Sequence, residues 1–360
     1  MNETLERLLY ILLAVILFGI MIAIHEFGHF FTAKLFKVKV NEFAIGMGPN
    51  LWSKQKGETL YSLRALPLGG FCAMEGEDED TGDPRAFSCQ KPWKRIVILA
   101  AGSAMNFLMG LVIVVLLYMT IASVQAPVIT GFADGFQLEG ESGLMVGDRI
   151  VEIDGHRIWC YNNVHTFLDR NDGNGIDLVV ERNGEEVVLN NFPMAIREFI
   201  YKDKTYRGFG LFFESKEILS FPDRLCLSVV QTCDYVRTVW ISLIDLVTGR
   251  VGVNQLSGFI GVVDVVSEVG VNSDTVSDGI LNVFSIMALI AVNLAVMNLL
   301  PIPALDGGRI LFIVLNGIIW LICRRRIPEK YEGYVHTAAF FLLIAFMLLI
   351  AFKDVWNIFA

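Results

Sequence analysis

Charge, histidine and paired cysteine are all scarce in this chain. Only 19% of its 360 residues are Asp, Glu, Lys or Arg, against 54% hydrophobic, a balance that argues against an ordinary soluble globule. The net charge of −9 leaves no basic surplus for a nucleic-acid partner. Six cysteines, at 72, 89, 160, 226, 233 and 323, include no C-x-x-C pair, so the spacing supports neither a zinc knuckle nor a disulfide framework. Cys226 and Cys233 are spaced to share a helix face, where packing is their natural role. No small-residue cleavage site follows the first apolar run, which therefore reads as an anchor rather than a signal peptide.

What is abundant is long apolar sequence. Near-continuous runs cover Leu8–Ile24, Ile96–Ile121, Ile280–Leu300 and Ala338–Phe352, each near the roughly 17–25 residues that cross a bilayer. Ile310–Cys323 is shorter and reads as a half-buried helix. Thr32–Arg95 carries ten Lys/Arg, and Arg324, Arg325, Arg326 and Lys330 cluster before the last run, so both segments belong in the cytoplasm. Ser123–Gly279, with 23 acidic and 12 basic residues, then lies outside, as do both termini. The predicted fold class is a polytopic α-helical membrane protein with about four transmembrane helices.

Between the first two spans, "FAIGMGPNLWSKQKGETLYSLRALPLGGF" alternates short apolar runs with Gly-rich turns and predicts a β-hairpin or small sheet. Its edge could pair with an extended peptide, or it could simply cover a helix end. The acidic "EGEDED" that follows reads as a solvated loop. Outside, "GLMVGDRIVEIDGHRI" and the strands after it predict a small α+β domain over residues 128–191, with a short helix near Asn163–Asp169; its wording resembles bacterial PDZ domains. Such a domain could take a peptide ligand or act as a sizing wall. His156 and His165 in it read as surface or core residues. "FPDRLCLSVVQTCDYVRTVWISLIDLVTG" has apolar residues at helical spacing and predicts an amphipathic helix.

The chemistry begins at "HEFGH". On a helix His25 and His29 share a face, and two imidazoles there can ligate one Zn²⁺ with Glu26 as general base. Ionisable groups in an apolar helix cost at least about 2.5 kcal/mol on insertion scales, so burial for packing alone is the weaker reading. A catalytic zinc usually has a third protein ligand. The candidate is Asp306 in "NLLPIPALDGGRI", where Pro301 and Pro303 break a membrane helix. Counted along their spans, HEFGH and Asp306 both fall near the cytoplasmic end.

HEFGH in a first span, a PDZ-like exported domain and NLLPIPALDGG in a later span together resemble the bacterial site-2 proteases, the group containing the regulator-of-sigma-E protease. The resemblance runs over nearly the whole chain. It implies a zinc endopeptidase of the bacterial cytoplasmic membrane, with His25, His29 and Asp306 as ligands, Glu26 as base and Asn298 binding the substrate backbone. It further implies transmembrane substrates such as anti-sigma factors or remnant signal peptides, and a cytoplasmic-side membrane-associated β-hairpin at about Asn41–Phe71 that receives the unwound substrate. The segments would be residues 1–36 with HExxH, 37–95 hairpin and loop, 96–122 second span, 128–191 PDZ-like domain and 192–279 linker and amphipathic helices. After these come 280–308 with the LDG motif, 309–334 half-helix and basic loop, and 335–354 last span. Two departures, Gly258-Phe259 for Gly-Pro and "AAGS" at residues 100–103 for "AAGP", bear on local backbone shape and should touch no metal ligand. A silent PDZ scaffold and a metal transporter are the competing readings; flux or substrate fragments would separate them.

Overall fold

In a computed structural model the described residues are 3–77, 82–170, 175–201, 204–252, 256–324 and 329–359. Asp78, Glu79 and Asp80 of the acidic run, the Asn171–Asn174 turn, and Arg325 and Arg326 of the basic cluster lie outside them. The chain divides into two compact units, one formed by Met1–Leu117 with Tyr235–Ala360 and the other by Tyr118–Asp234.

The first unit is helical. Helix α1 (Glu3–Leu35) is apolar along most of its length and ends where Lys37 adopts φ 63°. The Val38 N–H then reaches back to Ala33 O at 2.8 Å, a left-handed closure that satisfies a terminal carbonyl. Strands β1 (Val40–Lys56) and β2 (Thr59–Met74) form the predicted hairpin, slightly longer than its apolar runs. Pairs run from Lys56–Thr59 to Trp52–Leu63, and again from Ile45–Gly70 to Val40–Met74. A further ladder, Glu42–Leu60 to Ile45–Leu63, in which both numbers rise together, folds the long hairpin onto itself. Helix α2 (Pro92–Thr120) follows, with proline at its first position, where the missing N–H is harmless.

The second unit holds short strands: β3 (Ser123–Gln125), β4 (Gly131–Phe132), β5 (Arg149–Ile153), β6 (His156–Arg157), β7 (Ile176–Arg182), β8 (Glu185–Phe192), β9 (Arg197–Tyr201), β10 (Lys204–Gly208), β11 (Leu211–Phe212) and β12 (Lys216–Ile218). A four-stranded sheet has the order β6-β5-β7-β8, and β3, β4 and β9 pair with β12, β11 and β10. Helix α3 (Asn162–Leu168) buries Val164, Phe167 and Leu168, while Ile150, Ile153, Leu178 and Val180 are buried from β5 and β7. The unit is wider than the 128–191 interval read from the sequence, because β11 and β12, after Phe192, pair with β4 and β3.

Helix α4 (Phe221–Val247) occupies the amphipathic stretch and is exposed at Leu225, Val229, Trp240, Ile244 and Val247. It is followed by α5 (Phe259–Val271), α6 (Val276–Asn298), α7 (Asp306–Cys323) and α8 (Glu329–Phe359). Thr275 caps α6, its hydroxyl accepting the Asp278 N–H at 3.1 Å. A core of Tyr10, Ala14, Leu17 and Met21 from α1, Val263 and Val266 from α5, and Val283, Met287 and Ala291 from α6 holds these helices together.

Among the described residues five helices are long and apolar enough to cross a membrane, one more than the four expected. The addition is α7. Its apolar run begins only at Ile310, but the helix starts at Asp306, so its first turn, Asp-Gly-Gly-Arg, was invisible to an apolar count. The polar groups of that turn have partners: Arg309 bonds Glu77, and Asp306 lies against His25 and His29. Two acidic residues of the run read as a solvated loop are likewise engaged, since Glu75 accepts from Lys39 Nζ at 2.8 Å and Glu77 from Arg309.

Candidate metal centre

One face of α1 presents His25 and His29 edge to face, with ring centroids 4.8 Å apart and Nε2 atoms 3.1 Å apart. Asp306 Oδ2, from the first turn of α7, lies 3.3 Å from each of these nitrogens. Asp306 reaches this position because α6 stops at Asn298, and the Leu299–Leu305 break redirects the chain into α7. Gly307 and Gly308 are needed for close approach: a Cβ on either would run into the backbone of Leu299–Leu300 or of Ile302. The unusual φ in the break belongs to Ala304, at 78°, whose N–H donates to His336 Nδ1 at 2.9 Å.

These three residues fit a zinc ion. His29 Nδ1–H donates to Ile98 O at 2.8 Å, which leaves the Nε2 lone pair directed at the cluster. Asp306 Oδ2 is buried without a hydrogen-bond donor, although it lies beside both imidazoles. Lone pairs gathered in this way repel unless a cation lies among them. A tetrahedral centre with bonds of about 2.0–2.1 Å holds its ligands about 3.3 Å apart, close to the spacing of the three atoms here.

Helix α2 covers the site from behind. A Cβ at Gly102 would stand 2.5 Å from His29 Nε2 and 2.7 Å from His25 Cε1, so the imidazoles occupy the space a side chain would fill. A Cβ at Gly28 would meet the Ala101 carbonyl carbon at 2.8 Å and Gly102 N at 2.9 Å. Within "AAGS" it is Gly102, not the departing Ser103, that meets the two candidate ligands. At the other departure, Asp354 accepts from Gly258 N–H at 2.8 Å and Gly261 N–H at 3.1 Å, capping α5.

In front of the cluster is a cavity of about 270 Å³ lined by Ile22, His25, Glu26, Gly69, Gly70, Asn106, Leu294, Asn298, Ala304, Leu305 and Asp306. Glu26 and Asn298 therefore face one space with two of the three candidate ligands. The β2 backbone passes Glu26 closely, its Cγ 3.2 Å from where a Gly70 Cβ would be. Cys72, two residues on, is buried, and that burial, with Glu26 and Glu77 nearby, pushes its thiol above the ordinary range.

The remaining histidines have local contacts. His156 stacks on Phe167 at 4.7 Å, and His165 shares a 2.8 Å hydrogen bond with the Tyr161 hydroxyl. His336, which no sequence motif singles out, anchors the break beside Asp306 by accepting the Ala304 N–H. Asn106 was also missed; the available signal was an amide inside an apolar run, three residues after AAGS.

A protein-family model described as Peptidase family M50 matches residues 13–346. A Fusobacterium nucleatum protein named as a zinc metalloprotease is 34% identical, over 97% of this chain and 99% of its own length. Another of that name from Clostridium acetobutylicum is 32% identical over 96% of this chain and 97% of its own. The regulator of sigma-W protease of Bacillus subtilis is 27% identical over 95% of this chain and 96% of its own.

Proposed function

This chain belongs to peptidase family M50, the site-2 proteases, and is a multi-pass membrane zinc metalloprotease; from that premise we propose that His25, His29 and Asp306 hold the zinc, that Glu26 is the catalytic base, and that the substrates are transmembrane segments of single-pass proteins. The observation that carries the ligand set is the near-equal spacing of His25 Nε2, His29 Nε2 and Asp306 Oδ2, 3.1–3.3 Å, with no donor to the carboxylate oxygen.

Zinc bound there supplies Lewis acidity toward water and the scissile carbonyl. Glu26 takes the proton from the attacking water as the C–O bond forms, then delivers it to the amine as the C–N bond breaks. Asn298, facing the same cavity, hydrogen-bonds the substrate backbone. A transmembrane helix hides its amides in internal hydrogen bonds, so it must unwind before cleavage. The β2 backbone at Gly69–Gly70, beside Glu26, offers a strand on which the unwound segment can pair.

Anti-sigma factors and remnant signal peptides are the substrate classes we propose, and the Bacillus subtilis relative named a regulator of sigma-W protease supports the first. The second unit acts as a PDZ-like domain that screens substrates or binds a peptide. We place both termini outside the cytoplasm. Ile310 and Ile313 of α7 pack with Ala33 and Val38 at the carboxyl end of α1 and with Phe87 and Leu99, which supports reading α6 and α7 as one broken span with α8 returning.

The test is detergent-purified protein assayed for bound zinc and for cleavage of a single-span substrate, comparing wild type with Glu26→Gln and Asp306→Ala. We expect stoichiometric zinc in wild type and Glu26→Gln, cleavage only in wild type, and weakened zinc in Asp306→Ala. Full cleavage by Glu26→Gln, or unchanged zinc in Asp306→Ala, would refute the assignment.

A further inference from the structure

The three positions of α2 that meet the metal cluster are Ile98, Gly102 and Asn106, spaced i, i+4, i+8 and therefore on one face. Ile98 gives its carbonyl to His29 Nδ1, and Gly102 gives room to both imidazoles. Asn106 is only 1% exposed, and its amide nitrogen lies 3.4 Å from His25 Nδ1. Its Oδ1 is buried without a partner.

These facts conflict if His25 is to bind a metal through Nε2. A lone pair on Nε2 requires the proton on Nδ1, and an Nδ1–H needs an acceptor opposite it. An amide NH₂ at that place is a donor, and it would select the tautomer with Nε2 protonated. A half-turn of the amide removes the conflict: Oδ1 then faces Nδ1–H, and the orphaned oxygen gains its partner.

We propose that Asn106 is the positioning residue for His25, accepting a hydrogen bond from Nδ1–H and so fixing the tautomer and ring orientation that present Nε2 to the zinc. The two histidines are then oriented from the same helix face, one by a main-chain carbonyl that mutation cannot remove and one by a side chain that it can. This rests on His25 being a ligand.

The experiment is zinc affinity by chelator competition, together with the visible spectrum of the cobalt-substituted protein, on full-length wild type, Asn106→Leu, Asn106→Asp, Ser103→Ala and His25→Ala in detergent. Removal of an outer partner of a metal-ligating histidine typically weakens metal binding about 10–100-fold. We expect that loss, and an altered cobalt spectrum, in Asn106→Leu. Asn106→Asp keeps the size and an acceptor and should bind zinc within a few-fold of wild type. Ser103→Ala, which removes a buried hydroxyl nearby, should bind as wild type does.

Wild-type affinity and spectrum in Asn106→Leu would overturn the proposal. So would equal losses in Asn106→Asp and Asn106→Leu, since the acceptor kept by aspartate would then make no difference. Should Asn106→Leu not fold, Asn106→Asp still decides, since a large loss of zinc in a variant that keeps the acceptor would overturn the proposal. If His25→Ala binds zinc normally, the ligand assignment itself fails; if it loses zinc while Asn106→Leu does not, only the role of Asn106 fails.

Discussion

Replacing Gly102 by alanine adds one methyl group where the two imidazoles already stand. That methyl would lie 2.5 Å from His29 Nε2 and 2.7 Å from His25 Cε1, whereas an ordinary contact needs about 3.5 Å or more. Something must therefore move by about 1 Å. Helix α2 cannot withdraw freely, because it is tied to His29 through Ile98 O and buried at Ile98, Leu99 and Asn106. The rings must yield, and zinc–ligand distances tolerate only about 0.2 Å. Overpacking costs about 1–3 kcal/mol, which corresponds to roughly 5- to 150-fold in affinity if it falls on the bound arrangement. Chelator competition at fixed pH should show that loss, with the helical circular dichroism unchanged. Gly110→Ala is the matched control: its methyl would meet Val292 Cγ2 at 2.7 Å, away from the metal, and should leave zinc affinity intact. Wild-type zinc binding by Gly102→Ala would refute the reasoning, because the ligands would then not be held where they are described.

Other perturbations separate the parts of the molecule. His336→Phe keeps a ring beside Phe312 but leaves the Ala304 N–H without its acceptor, a loss of about 1–3 kcal/mol; cleavage of a single-span substrate should fall by up to about 100-fold, and Tm-matched protein with full activity would count against the anchor. Arg182→Met strands Asp148, which is 0% exposed and bonded by Arg182 at 2.8 and 2.7 Å; about 3–5 kcal/mol should be lost from the second unit, seen as faster amide exchange in β5 and β7 with zinc affinity unaltered.

Much of the candidate site was legible because it is sequence-local: His25 and His29 need only a helix to share a face, Glu26 is their neighbour in the chain, and Asp306 stands in a proline break that an apolar span does not otherwise contain. The hairpin was legible from its alternation and turns. What was not legible depended on partners distant in sequence. The first turn of α7 reads as polar until Glu77 and the histidines are placed beside Arg309 and Asp306. Helix α5 gave no signal of its own, being apolar on most faces yet shorter than a span. Asn106 and His336 act through contacts to His25 and Ala304, 81 and 32 positions away in the chain, and no spacing rule joins such residues.

The contact of Gly28 with Ala101 and Gly102 also limits how a substrate can arrive. Two helices whose main chains touch at the depth of the metal leave no seam for a third to slip through, and parting them would pull His29 from Ile98 O. A transmembrane substrate of the kind proposed would then have to come from the other side of the site, where Gly69 and Gly70 of β2 and Ala304 and Leu305 of the break line the cavity. The open side of the site is thus the side that carries Asp306, so a chain filling the cavity would press on the same break that positions one of the three candidate ligands.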